Sequence, residues 1–295
     1  YIFMKLILFI IFFIILITYN YIEMKKNPGQ VCNFENNGII VINKGGFFSC
    51  CYLRLDCIIN YINKYKKLPD YVNSKQLFDI YKQKDKTKKD ITFLFFDNYD
   101  NVNVNSLCHF DTAIQRPPQF LDYSSINYNE IKPIIKKYFS LSNNIIDRKN
   151  KLKTKYNIDY SNTIAVYFRG TDKSDEITEP KFETYYNKIK TISDLNLKKK
   201  IIIQTDSAHF LDYIKKKQIK NIIIFDENKP SYLSKGTHKE KRNRYKEIQN
   251  LLSIISILSE CNDIICCSNN VSLWIMLFRG HPRNVHQYLE DKFLN

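Results

Sequence analysis

Four apolar runs in the second half of the chain, each closed by a polar cluster, constrain its fold more than any other feature. They are Thr163–Phe168, Ile201–Gln204, Asn221–Phe225 and Asp263–Cys267. All are short and mostly β-branched or aromatic, the pattern of strands buried on both faces. Helical patterns lie between or after them: Phe182 to Ile192, Ala208 to Lys217, then Ile248, Leu251, Leu252, Ile255 and Leu258, with a last helix opening near Val271. Strands alternating with helices predict a parallel sheet covered on both faces.

The first half shows the same grammar less plainly. Ile39–Ile42 predicts a strand that ends in Asn43-Lys44-Gly45-Gly46. Leu55, Ile58, Ile59 and Ile62 fall at i, i+3, i+4 and i+7, one face of a helix, which Pro69 should stop. Ile91–Phe96 predicts a further buried strand behind a Lys-rich loop, and residues 140–162 read as a helix end plus linker. With 295 residues the chain has room for two domains of about 100–200 residues each. The expected fold class is therefore α/β, two facing Rossmann-like domains behind an N-terminal hydrophobic anchor helix. The divisions are anchor and stem over 1–30, a first domain over 31–152 and a second over 153–295.

The anchor rests on Lys5 followed by an unbroken apolar run from Leu6 to Ile17, with Lys25 and Lys26 beyond. No small-x-small cleavage site follows, which favours an uncleaved signal anchor through residues 6–22 over a cleaved peptide. That implies a single-pass type II membrane protein whose body faces the lumen of the secretory pathway (ER/Golgi). The eight cysteines agree with an oxidising lumen without requiring it, and none forms the C-x-x-C pair of a zinc site.

A net charge of +15 would suit a nucleic-acid partner. However, only eight of the 45 basic residues are Arg, and the Lys residues are spread over nearly every segment. This is the distribution of a solvated surface rather than a binding face. The densest basic stretch, Lys235 to Lys246, fits a loop after the third strand. Neither a phosphate-binding G-x-x-x-x-G-K-[ST] loop nor a dinucleotide G-x-G-x-x-G is present.

Ligands of open parallel sheets bind at the carboxyl ends of the strands. There the sequence places Arg169-Gly170-Thr171-Asp172-Lys173, Thr205-Asp206-Ser207, Asp226-Glu227 and Ser268-Asn269-Asn270. Arg169 is a bidentate donor suited to phosphate or carboxylate. Ser268-Asn269-Asn270 opens a helix, where backbone N–H groups attract anions. Asp226 has the acceptors for a purine's paired N–H groups. Each also has a plainer role, Arg169 in a turn salt bridge and Asp206, Asp226 and Ser268 as helix caps.

The run Ala165-Val166-Tyr167-Phe168-Arg169-Gly170-Thr171-Asp172-Lys173 resembles the H-x-R-x-T-D-K motif of the α-1,6- and O-fucosyltransferase superfamily. Thr205-Asp206, Ile224-Phe225-Asp226 and Asp263 to Ser272 follow in that family's order, so the resemblance covers about residues 160–280. It implies a GT-B fold with an acceptor-side first domain and a second domain that binds the nucleotide sugar. It also implies GDP-fucose as donor, inversion at the anomeric carbon, no metal, and a glycan or glycoprotein acceptor. By the same resemblance Arg169 would serve catalysis. Tyr167, Asp172, Lys173, Asp206, Asp226, Ser268, Asn269 and Asn270 would bind the donor, Asp226 reading guanine and Asn269 and Asn270 holding the phosphates. The absence of an Asp-x-Asp pair agrees with a metal-free donor site.

Two departures stand out. The family's histidine is Tyr167 here, and the catalytic base falls on Glu176, with Glu179 as second choice, through an inexact alignment. Another nucleotide-sugar transferase, a non-catalytic relative and a basic nucleic-acid binder are the competing classes.

Overall fold

The computed structural model describes residues 31–82, 90–101, 118–170, 180–194, 199–228, 230–232 and 243–294. The run from Leu6 to Ile17 lies outside them. No helix among the described residues is long and apolar enough to cross a membrane.

The first half opens with a hairpin, β1 (Val31–Glu35) antiparallel to β2 (Gly38–Ile42), joined at Asn36-Asn37. Gly38 is required there, because a Cβ would stand 2.5 Å from the Tyr71 ring. Helix α1 (Phe47–Tyr65) follows and buries twelve residues along its length. It ends before Pro69, where Lys66 turns left-handed at φ 55° and its N–H bonds the carbonyl of Ile62. β3 (Tyr71–Asn73) then pairs parallel with β2. This three-stranded sheet, β1-β2-β3, stands where a Rossmann-like first domain was expected.

Ile91–Phe96 is not a strand. It holds one helical turn, α2 (Thr92–Phe95), with Phe93 and Leu94 at 39% and 44% exposure. An apolar run without a period does not say which of its residues face water, and here two do. Helices α3 (Tyr128–Phe139) and α4 (Asn143–Lys155) come next. The segment expected to be a linker is thus largely a packed helix: Ile145 and Leu152 of α4 are buried, and Ser253 Oγ donates to the Ile145 carbonyl at 3.3 Å. A division at 152/153 falls inside this helix.

The second half follows its sequence pattern closely through residue 279 and then adds two strands, at 285–289 and 292–294, that the sequence pattern does not mark. It comprises β4 (Thr163–Phe168), α5 (Phe182–Asp194), β5 (Lys200–Thr205), α6 (Ala208–Lys216), β6 (Ile222–Ile224), α7 (Arg244–Glu260), β7 (Asp263–Cys267), α8 (Asn270–Arg279), β8 (Val285–Leu289) and β9 (Lys292–Leu294). The sheet order is β6-β5-β4-β7-β8-β9, parallel except for β9. Ile164, Val166 and Phe168 pack with α5 and α6 on one face. Ala165 and Tyr167 join the other face, where one continuous apolar cluster runs from Ile39 through α7 and α8 to Val285. The first half is therefore fused to the sheet through α8, where Phe139 meets Trp274 with ring centroids 4.6 Å apart.

Cys32 on β1 is disulfide-bonded to Cys57 on α1, with Cα atoms 6.1 Å apart. Cys50, Cys51, Cys261, Cys266 and Cys267 are buried free thiols. Burial pushes the Cys50 thiol up to about 12, so it stays protonated at neutral pH. Closing a loop of 25 residues should contribute about 3 kcal/mol. Reduction by dithiothreitol is expected to lower the urea midpoint accordingly, and Cys57→Ser should lower it equally and remove the response to reductant. A midpoint indifferent to both would show that the bond contributes nothing.

Candidate functional site at the carboxyl ends of β4, β5 and β7

From central β4 the chain passes to β5 and β6 on one side and later to β7 and β8 on the other. This reversal opens a crevice at the carboxyl ends of β4 and β7, where open α/β sheets bind ligands. Arg169 follows β4 directly and Asp206 follows β5, placed side by side by the pairing of Phe168 with Thr205. Arg169 Nη1 lies 3.7 Å from Asp206 Oδ2, and the Gly170 N–H donates to Asp206 Oδ1 at 3.0 Å. One carboxylate thus holds both the guanidinium and the turn that carries it. Residue 170 is fixed as glycine, since a Cβ would come within 2.5 Å of the Phe168 ring. That ring is stacked on Phe210 at 4.1 Å and has no room to yield.

Tyr167, two residues before Arg169 on β4, is 3% exposed. Burial keeps its phenol protonated far above the ordinary range, against the opposing pull of the Arg169 guanidinium, to which it is hydrogen-bonded. A phenol held protonated is not a base near neutral pH, and Tyr167 is a neutral partner of Arg169.

At the end of β7, two of the three expected ligand residues spend their side chains internally. Ser268 Oγ donates to the Tyr288 carbonyl at 3.0 Å and accepts from Gln287 Nε2 at 2.7 Å. Asn269 Oδ1 caps α8 by accepting the Ser272 N–H at 3.0 Å, and its Nδ2 donates to the Cys267 carbonyl at 3.1 Å. The Tyr123 hydroxyl takes the Asn269 N–H and donates to the Asn269 carbonyl, both at 3.2 Å. What remains for an anion is the start of α8, where the Asn270 and Val271 N–H groups lack intrahelical acceptors.

Asp226 is not brought into this group by any contact among the described residues. β6 ends at Ile224, opposite Ile203, two residues short of the end of β5. The Asp226 side chain is 81% exposed, 3.5 Å from Lys155 Nζ and 3.3 Å from the Tyr156 hydroxyl. Its neighbour Glu227 binds the same pair more closely, at 2.7 and 2.9 Å. Although burial works to raise it, Lys155 and Tyr156 hold the Glu227 carboxyl below its ordinary value. Asp172, Lys173 and Glu176 lie outside the described residues, as does most of the basic stretch from Lys235. No group of three or more His, Cys, Asp or Glu side chains able to hold a metal ion occurs among the described residues.

Sequence reasoning missed Tyr123 and Gln287, which tie the first half to the crevice. Gln287 Nε2 donates to the Leu121 carbonyl at 2.7 Å, and its Oε1 accepts the Tyr123 N–H at 2.8 Å. No spacing could reveal contacts across more than 140 residues.

No protein-family model matches the chain, and no curated protein matches it in sequence. Among solved structures it is similar to a NodZ alpha-1,6-fucosyltransferase soaked with GDP-fucose, with a TM-score of 0.39 and 17% identity over 55% of this chain and 49% of that one. The fucosyltransferase NodZ from Bradyrhizobium gives 0.37 and 16%, over 53% and 47%. POFUT1 in an apo form gives 0.36 and 13%, over 55% and 50%. The chain spans about half the length of these structures.

Tyr123→Phe deletes the hydroxyl that accepts the buried Asn269 N–H, while the Asn269 carbonyl keeps the Leu273 N–H at 2.9 Å. It should lower stability by roughly 1–2 kcal/mol with an unchanged denaturant slope, read from urea unfolding. A variant as stable as the parent would mean that water replaces the hydroxyl.

Proposed function

We propose that the chain is an inverting, metal-independent glycosyltransferase that moves fucose from GDP-fucose to a glycan or glycoprotein acceptor. The observation that carries this reading is the convergence of Arg169, its Asp206-bound turn and the start of α8 at the crevice between β4 and β7. A diphosphate seated there meets a guanidinium from one side and a helix N-terminus from the other. As the glycosidic bond breaks, negative charge grows on the diphosphate, and both groups stabilise it without a metal. Asp206 orients the guanidinium beforehand, which limits reorganisation during the reaction. Asp172 and Lys173 stay with the donor site and Glu176 with the role of base on the strength of the motif. Asp226, its side chain largely exposed beyond the end of β6, keeps the base-reading role on the strength of the motif.

The Cys32–Cys57 disulfide supports an oxidising compartment. Anchoring through residues 6–22, with the body in the ER/Golgi lumen, belongs to the same proposal. One observation favours a second reading: Arg169 already has a carboxylate partner in Asp206 and a phenol partner in Tyr167. In a non-catalytic relative these contacts would only pin the turn.

Calorimetry with GDP in excess chelator tests the donor site, and binding is expected. Loss of binding with EDTA and its return with manganese would remove metal independence. UDP, ADP and CMP run alongside identify another base if GDP is not preferred.

Turnover tests the enzyme. Arg169→Ala should lower kcat by about 10²–10³, with a smaller effect on donor affinity, because the interaction strengthens toward the transition state. Arg169→Lys keeps the charge but loses the fork and should restore only part of the rate. Under the second reading Arg169→Ala lowers the melting temperature and the parent turns over no sugar nucleotide.

A further inference from the structure

The opposite edge of the sheet carries a cavity that the proposed transfer does not use. Its volume is about 640 Å³, and it lies where the chain enters β7 and β8, bounded by Tyr160, Asn262, Phe278, Arg279, His281 and Arg283. Its floor is fixed by Arg279. That guanidinium donates to the carbonyls of Ser259, Cys261, Asn262 and Arg283, gathering the end of α7, the entry to β7 and the loop before β8 around one cation. Gly280, left-handed at φ 72°, turns the chain off α8, and Lys132 of α3 lies alongside it. His281 follows immediately.

The charge around His281 is one-sided. The charged groups that act on its imidazole are Arg279, Arg283 and Lys132, all cationic, and burial adds to their effect. Its Nδ1 is shielded and has no hydrogen-bond partner. Glu260, the acidic residue on the cavity wall, is already paired with Lys149. Asp263, at the start of β7, is paired with Lys199 at 2.6 Å. The Arg283 side chain is exposed, and its backbone carbonyl is what Arg279 holds.

We propose that this cavity binds a small phosphomonoester, its phosphate between Arg283 and His281 and its organic body against Phe278 and Tyr160. A tetrahedral dianion suits a guanidinium and an imidazole presented by one loop, and the charge of Lys132 adds to their field. The volume exceeds what phosphate alone requires, and the two aromatic walls suit an attached ring-bearing group. The site stands on the amino side of the sheet and is independent of the Arg169 crevice.

The test is NMR titration of the full chain with imidazole-labelled histidine, using inorganic phosphate and phenyl phosphate as probes and sodium chloride at matched ionic strength as control. Both probes should shift the His281 signal and raise its titration midpoint, with phenyl phosphate binding at least fivefold more tightly. Arg283→Ala, which keeps the carbonyl that Arg279 needs, should weaken both by about tenfold, and Arg283→Glu should abolish the response. Arg169→Ala should leave the His281 response intact, which separates this site from the donor crevice. A His281 shift no larger than in chloride, or one unchanged in Arg283→Glu, would overturn the proposal. Equal affinity for the two probes would remove the organic subsite and reduce it to a phosphate site.

Discussion

Everything in the molecule is arranged around a central strand with water on neither side. All six residues of β4 are buried, and their alternation commits Ile164, Val166 and Phe168 to one layer and Ala165 and Tyr167 to the other. Burying a Val, Ile or Phe side chain contributes about 1.5–3 kcal/mol, so a register slip of one residue would exchange the two layers at prohibitive cost. That register fixes where the strand stops, and hence where Arg169 emerges beside Asp206. The candidate site inherits its geometry from the core below it.

The first half depends on the same sheet. Its three short strands do not form a self-sufficient layer, and its aromatic residues complete the face that α8 presents. Phe139 packs on Trp274, and Tyr123 and Gln287 bond across the crevice wall. Within this half, Arg54 is wholly buried, donating from Nε to Ser74 Oγ at 2.8 Å and from Nη1 to the Tyr138 carbonyl at 2.5 Å, with its guanidinium 4.8 Å from the Phe139 ring centre. Burial lowers its pKa to about 10, which leaves it charged at neutral pH. A charge held this way ties α1 to α3 by directional bonds, in a region where apolar contacts alone would allow sliding.

The polar groups at the two ends of the sheet divide by function. At the carboxyl edge, Ser268 and Asn269 are consumed by capping and by bonds to β8, which leaves Arg169 and the start of α8 as the groups facing the crevice. At the amino edge, Arg279 is consumed by four carbonyls, which leaves Arg283 and His281 facing a cavity. In both places a polar side chain beside the open groups is a structural clamp.

The sequence by itself determined the elements of the second half from β4 to α8, though not β8 and β9, and the ends at which chemistry is placed. Strands buried on both faces must be apolar throughout, and helices covering them must repeat at 3.6 residues, so both periods are written locally. It also marked Arg169, Asp206 and Ser268 to Asn270 as strand-end polar clusters. Ile91–Phe96 misled because an apolar run carries no period, and residues 140–162 because a helix buried on a narrow face at Ile145 and Leu152 looks polar along most of its length. Only the tertiary structure decided that Ser268 and Asn269 are committed inward, that Asp226 turns toward Lys155, and that Tyr123 reaches Asn269. These outcomes depend on which strand ends first and on contacts between residues far apart in the chain, and no local spacing encodes either.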